Sequence, residues 1–454
     1  MIEVSKKFEA DIFFAIPSSV PSTDFETSGG ELDWPEMKKL LEDPHVICLG
    51  EVMNYPDIIH NPEGKTNRIL RHLRQRDPRF IIEGHCPKLE DLDLNRFIYA
   101  GIDSDHTQQT ASGMSERMKR GMFVEIQEKS INRENIDFLT NKDGLFCFVT
   151  DDRMADSFWR RGHLNALLSK AVELGMPPKT ALFAATASPA ARMKLSDRGS
   201  IAPGKVADFF LTKDLSSFQP VKVYKNGREA HLAGQEDAPA QSFPSYFYHS
   251  VHLPAISLDD FRIAAPQKSG VVPCRIIKIT EGTTFTGMLI ASLPVRECEL
   301  LWEESPYAFI GVFERYGKNG NKAQGLLTGP ALTRGALATT YAHDHHNLLV
   351  LGRSKEDLLL AARTVMERQG GICAVVAGKI LSYLSLPVGG ILSDKGFDAV
   401  GQEVEELLQA MFSLGYRTGI MSFCTPALPV SPELKITDRG LIDVNGGRIV
   451  SLFV

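Results

Sequence analysis

Six times between residues 10 and 152 a short apolar run, often β-branched, ends in a polar turn, and stretches with helical spacing lie between the runs. The runs are ADIFFAIP, HVICLGE, RFIIEGH, FIYAGIDSDH, MFVEIQE and LFCFVTDD; the helical stretches include EMKKLLED, TNRILRHLRQR, LEDLDLNRF and, further on, GHLNALLSKAVELG. Strands separated by helices pair in parallel through crossovers, so this alternation specifies an α/β unit with a parallel sheet. The ionisable residues just after these strands are Glu51, His85, His106 and Asp151. The carboxyl edge of such a sheet is where α/β barrels keep their chemistry.

The pattern changes after residue 197. Residues 198–231 read as short alternating strands broken by Gly and Pro, with Asn226-Gly227 between apolar runs as a hairpin signal, and form a partial small β-sandwich. Residues 232–254 are rich in Pro, Ser and Ala without periodicity and read as a linker. Residues 255–454 read as a separate α+β domain, with RIIKIT, NLLVLG and ICAVVAGKIL as strands and KEDLLLAARTVMERQ and GQEVEELLQAMFSLG as helices.

Charge and composition narrow the class. Fifty Lys and Arg against 56 Asp and Glu give a net charge of −6, so no basic field gathers nucleic acid or anionic lipid. No apolar run approaches the length of a membrane span, and MIEVSKKFEADIFF carries acidic residues where a signal peptide needs an apolar core. Seven scattered cysteines with no CxxC pair fit reduced thiols, and a cytoplasmic protein is expected.

Glu51, His85, His106 and Asp151 are spaced by 34, 21 and 45 residues, lengths that successive βα units can span. Two imidazoles and two carboxylates make a mixed N/O set suited to Mn, Fe or Zn, which can acidify a water near neutral pH. Asp151, last in order, is the best placed to move a proton. Each residue alone could equally cap a helix or satisfy a turn; their recurrence at successive strand ends favours a site.

These segments carry a specific resemblance. GEVMN, GHCP, DSDH, TDDR and AATASPAARMKLSDRGSIAPGKVADFFL, in that order, resemble the adenine deaminases of the amidohydrolase superfamily, and AHDHHN with PELKITDRGL resembles the C-terminal domain that accompanies them. The resemblance covers nearly the whole chain. It implies a (β/α)8 barrel with a two-metal centre that hydrolyses adenine to hypoxanthine and ammonia, with manganese expected there and iron or zinc as alternatives. Position by position, it makes Glu51 the metal-bridging carboxylate, His85 and His106 strand-end ligands, and Asp151 a metal-bound proton shuttle.

Three departures qualify what is expected. No His-x-His follows an early β-run, the only such spacing being His343-Asp344-His345, and no Asp-Pro-His-Glu is present. Six strand candidates precede residue 152 where a closed barrel has eight, so the expected barrel lacks its first two strands, with ligands for about one metal. The missing segment is expected to be lost, to sit on another polypeptide, or to be cut off by a misassigned start. Open sheet edges invite association, and a homo-oligomer is expected. Thr107 stands where the family usually has Glu. For the cluster His343, Asp344 and His345 two roles stay open: a loop that closes over substrate or lends a ligand, and a polar turn or subunit interface.

Overall fold

The structure is a computed structural model that describes residues 1–142, 144–230, 243–281 and 283–454. The chain divides into two compact units, one of Met1–Ser19 with Leu32–Pro239, the other of Val20–Glu31 with Ala240–Val454. The expected linker at 232–254 lies outside the described residues up to 242; beyond it, Ser245–Tyr248 forms a short 3-10 turn.

In the first unit all six expected strands form: β1 (Phe14–Pro17), β2 (Val46–Val52), β3 (Ile81–Gly84), β4 (Ser104–Asp105), β5 (Phe123–Ile126) and β6 (Phe146–Phe148). Every pairing among them is parallel. The crossover helices bury one apolar face each. Helix Lys65–Arg76 turns Ile69, Leu70 and Leu73 inward, and helix Leu164–Glu173 does the same with Leu167, Leu168 and Ala171. Thr110 starts helix Ala111–Lys119 by accepting the Gly113 N–H on its side chain at 3.1 Å.

The six strands do not form one continuous ladder. Hydrogen bonding runs β1-β2-β3 and, separately, β4-β5-β6. Each half has its own apolar core, the first around Leu49, Ile82 and Phe97, the second around Val124, Phe146 and Leu167. At the seam the Ser104 hydroxyl takes the Gly84 N–H at 3.1 Å, in place of a backbone acceptor. Gly84 is needed there, since a Cβ would lie 2.4 Å from the Ser104 carbonyl and 2.5 Å from the Ile102 side chain. The run FIYAGIDSDH is therefore mostly not strand: its start completes helix Asp91–Tyr99, and only Ser104–Asp105 pairs.

Beyond the α/β region, β7 (Phe209–Thr212), β8 (Pro220–Lys225) and β9 (Arg228–Glu229) form a small antiparallel sheet. Asn226 and Gly227, with φ of 52° and 75°, make the expected two-residue turn.

The second unit centres on a nine-stranded mixed sheet. Its strands are β10 (Ser269–Ile279), β11 (Thr286–Arg296), β12 (Glu299–Leu300), β13 (Ala308–Phe313), β14 (Lys322–Thr328), β15 (Ala336–Thr339), β16 (Leu348–Gly352), β17 (Gly371–Val376) and β18 (Lys379–Ser385). They lie in the order β12-β11-β10-β14-β13-β16-β15-β17-β18. The stretch ICAVVAGKIL is two strands rather than one: Ala377 and Gly378 turn the chain between β17 and β18, and Asp357 accepts both of their N–H groups at 3.0 and 2.8 Å. That aspartate belongs to helix Lys355–Glu367, which packs Leu358, Ala361, Ala362 and Val365 inward. A three-stranded sheet of β19 (Leu434–Thr437), β20 (Gly440–Asp443) and β21 (Arg448–Val450) ends the chain. Among the described residues no helix is long and apolar enough to cross a membrane.

Candidate metal centre

Three of the four strand-end residues meet at the seam of the first unit. Glu51 lies at the end of β2, where the Ser18 hydroxyl donates to its carbonyl at 2.9 Å. His85 follows β3 and donates its N–H to the Val52 carbonyl at 3.1 Å; His106 follows β4. Glu51 Oε1 is 3.1 Å from His85 Nδ1 and 3.2 Å from His106 Nε2, and the two ring nitrogens are 3.1 Å apart. Ligand atoms bound at about 2.1 Å to one ion lie about 3.0 Å apart at right angles and about 3.4 Å apart in a tetrahedron, so this triangle fits one cation. Among the described residues it is the group of three metal-type ligands that converges on one point.

Electrostatics agree with that geometry. Burial opposes ionisation of Glu51, but its contacts with His106 and His85 prevail and hold the carboxyl below the usual carboxylate range. Burial likewise lowers the His106 pKa, yet the Glu51 carboxylate overrides it and holds the imidazole up at about 10. Two ring nitrogens and a carboxylate oxygen facing one another at 3.1–3.2 Å cannot all be satisfied by hydrogen bonds among themselves. A cation in the middle satisfies all three lone pairs at once.

A buried ion pair fixes the strand ends. Asp105, fully buried, binds Arg117 Nε at 2.6 Å and accepts the N–H groups of Cys86 and Thr107, the residues just after His85 and His106, at 3.2 and 3.1 Å. Arg117 also donates to the Cys86 carbonyl at 2.8 Å. Although burial works the other way, Arg117 keeps the Asp105 carboxyl below its ordinary range. Thr107 is part of this clamp: its hydroxyl donates to Asp105 Oδ2 at 2.9 Å.

Asp151 lies outside the triangle but within electrostatic reach of His106 and Glu51. Its Oδ2 accepts from Gln127 Nε2. Crowding by protein atoms and the neighbouring Asp152 charge raise its pKa, so its carboxyl holds a proton more readily than a free aspartate. Glu51 and Asp151 have φ of 43° and 55°, a left-handed conformation that costs non-glycine residues of order 1 kcal/mol or more and is found at functional sites.

His343, Asp344 and His345 fall in the second unit, apart from this triangle in the chain's division. There His345 is buried, its Nδ1 accepting the Asn347 N–H at 3.0 Å and its carbonyl accepting the Tyr316 hydroxyl at 2.5 Å. Asn347 in turn donates to the Thr27 carbonyl at 2.7 Å.

Known proteins bear on this arrangement. Residues 74–230 match the Amidohydrolase family and residues 283–448 the Adenine deaminase C-terminal domain. Adenine deaminase 2 of Shouchella clausii is 48% identical over 462 residues, covering 100% of this chain and 80% of that protein. The chain belongs to the adenine deaminase family. An adenine deaminase of Clostridium perfringens is 44% identical over 466 residues, with 100% and 82% covered, and one of Lactobacillus delbrueckii subsp. bulgaricus is 40% identical over 459, with 99% and 80% covered.

In this family member, sequence reasoning named the three residues that converge and missed what surrounds them: Asp105, Arg117, Gln127 and a buried acidic pair, Glu83 and Glu125. A signal existed for the last two. Each is a lone charge inside an otherwise apolar strand, IIEG and FVEI, and a charge on a strand buried on both faces must have a partner.

Proposed function

We propose that this chain hydrolyses adenine to hypoxanthine and ammonia, with Glu51, His85 and His106 holding a divalent ion at the seam. The observation that carries the proposal is the 3.1–3.2 Å triangle of ligand atoms in a chain 48% identical to an adenine deaminase. We read β1 to β6 as strands of a (β/α)8-type barrel, and the ion as manganese, with iron and zinc also compatible with the N/O donor set. Bound there, such an ion supplies the Lewis acidity that makes water a nucleophile near neutral pH. The chain's own groups do the rest. The Asp105–Arg117 pair keeps the two histidines in register, and Asp151, steadied by Gln127, carries a proton to the amino nitrogen leaving C6. All seven cysteines are free thiols, six of them buried, which supports a reducing, cytoplasmic setting.

The test is direct. Protein loaded with Mn²⁺ and given adenine should release ammonia and hypoxanthine in equal amounts as the adenine absorbance falls. Metal-loaded protein that leaves adenine unchanged overturns the proposal.

A further inference from the structure

His106 presents Nε2 to Glu51 and His85, so as a ligand its other nitrogen, Nδ1, must carry the proton. A buried N–H needs an acceptor, and the ring is only 12% exposed. The group facing Nδ1 is the Glu125 carboxyl, whose Oε2 lies 3.9 Å away. At that distance the two make an ion-pair contact just beyond hydrogen-bond length. Glu125 comes from the middle of β5 and is buried, as is Glu83 on β3, whose charge works against ionisation of Glu125. Glu83 is anchored in turn: Arg192 reaches it at 2.9 Å from helix Ala187–Arg192, and the Ser104 hydroxyl donates to it. Two carboxyl groups buried side by side are costly, and this pair is not needed to pin the strand ends, which Asp105 and Arg117 already do.

We infer that Glu125, braced by Glu83 and Arg192, is a positioning residue that fixes the tautomer and ring orientation of His106 for the metal. This rests on the reading of Glu51, His85 and His106 as metal ligands. A carboxylate behind a ligating imidazole raises its basicity and holds its plane, and loss of such a partner costs about 10- to 100-fold in metal affinity.

The experiment compares Glu125→Leu, which removes the acceptor but fills the space, with Glu125→Gln, whose amide oxygen can still accept from Nδ1. Affinity for Mn²⁺ and Zn²⁺ is measured by competition with a chromogenic chelator, beside thermal unfolding and a Glu51→Gln control. The leucine variant should bind metal about 10- to 100-fold more weakly, the glutamine variant should recover most of that loss, and neither should fall in unfolding temperature in proportion. Independently of any variant, ¹⁵N-histidine spectra of the Zn²⁺-loaded parent should show His106 protonated at Nδ1. Affinity within about threefold of the parent in Glu125→Leu, while Glu51→Gln loses metal, overturns the role of Glu125 alone. A parent that binds no metal, or a Glu51→Gln variant that binds it unchanged, overturns the metal-centre reading and this one with it.

Discussion

Asp151 and Glu51 share a left-handed backbone, yet their side chains are placed for different work. Glu51 points at two imidazole nitrogens, whereas Asp151 is held by an amide and stands outside the triangle. Asp151→Asn preserves shape and the acceptor for Gln127 but removes the group that carries a proton. It should lower kcat by about 10²- to 10⁴-fold, leave KM for adenine nearly unchanged and keep metal affinity within about threefold, as read by steady-state kinetics beside chelator competition. A large loss of metal in that variant would make Asp151 a ligand first. At this scale the sequence was legible where chemistry and periodicity coincide, at residues just past a strand. It was opaque where a charge sits inside a strand. Alternation assigns Glu125 to one face of β5, but both faces of that strand are buried, so position alone does not reveal that its carboxyl looks toward His106.

Elements explain why the ligands meet at a seam rather than along a continuous ladder. Between β3 and β4 a backbone acceptor is replaced by Ser104, and the ends of both strands are tied to Asp105. Arg117 neutralises that carboxylate with both side chains almost wholly buried. Arg117→Met leaves the charge unpaired and should cost about 3–5 kcal/mol in urea unfolding, with metal binding weakened because Cys86 and Thr107 lose their common anchor. The double variant Asp105→Asn/Arg117→Met should recover part of the stability, since the unpaired charge is gone. Local patterns could not show this arrangement. They give the order of strands and helices, which held for all six early strands, but not which ladder bonds form. The same limit explains β17 and β18. A continuous apolar run reads as one strand, and the turn at Ala377 and Gly378 depends on Asp357, a helix residue 20 positions earlier.

For the whole molecule, an α/β region ahead of an α+β region was legible only as an expectation from local patterning. Long-range order was not: β10 lies beside β14, and Val20–Glu31 is gathered into the second unit, through partnerships hundreds of residues apart such as the Thr27 N–H with Asp438 at 2.8 Å. Two ionisable groups buried in that unit give its stability an unusual pH profile. Glu26 is 2% exposed and faces Asp344; burial outweighs its hydrogen bonds from Ser22 and pushes the carboxyl up to about 7. Lys435 is fully buried, donating to the Thr284 and Thr425 carbonyls at 2.6 and 3.0 Å, and burial pulls its amine down to about 7. From the ordinary carboxyl value of 4.5 up to about 7, the folded state holds a proton at Glu26 that the unfolded chain has released, so stability falls as pH rises. From about 7 up to the ordinary amine value of 10.5, the unfolded chain holds a proton at Lys435 that the folded state lacks, so stability rises with pH. Each limb has a slope of at most about 1.4 kcal/mol per pH unit, and together they put a minimum near pH 7. Urea unfolding from pH 5 to 10 should show that minimum in the parent. Glu26→Gln should flatten only the acid limb and Lys435→Met only the alkaline one, and a profile unchanged by either substitution would mean that both groups keep their ordinary charge in the fold.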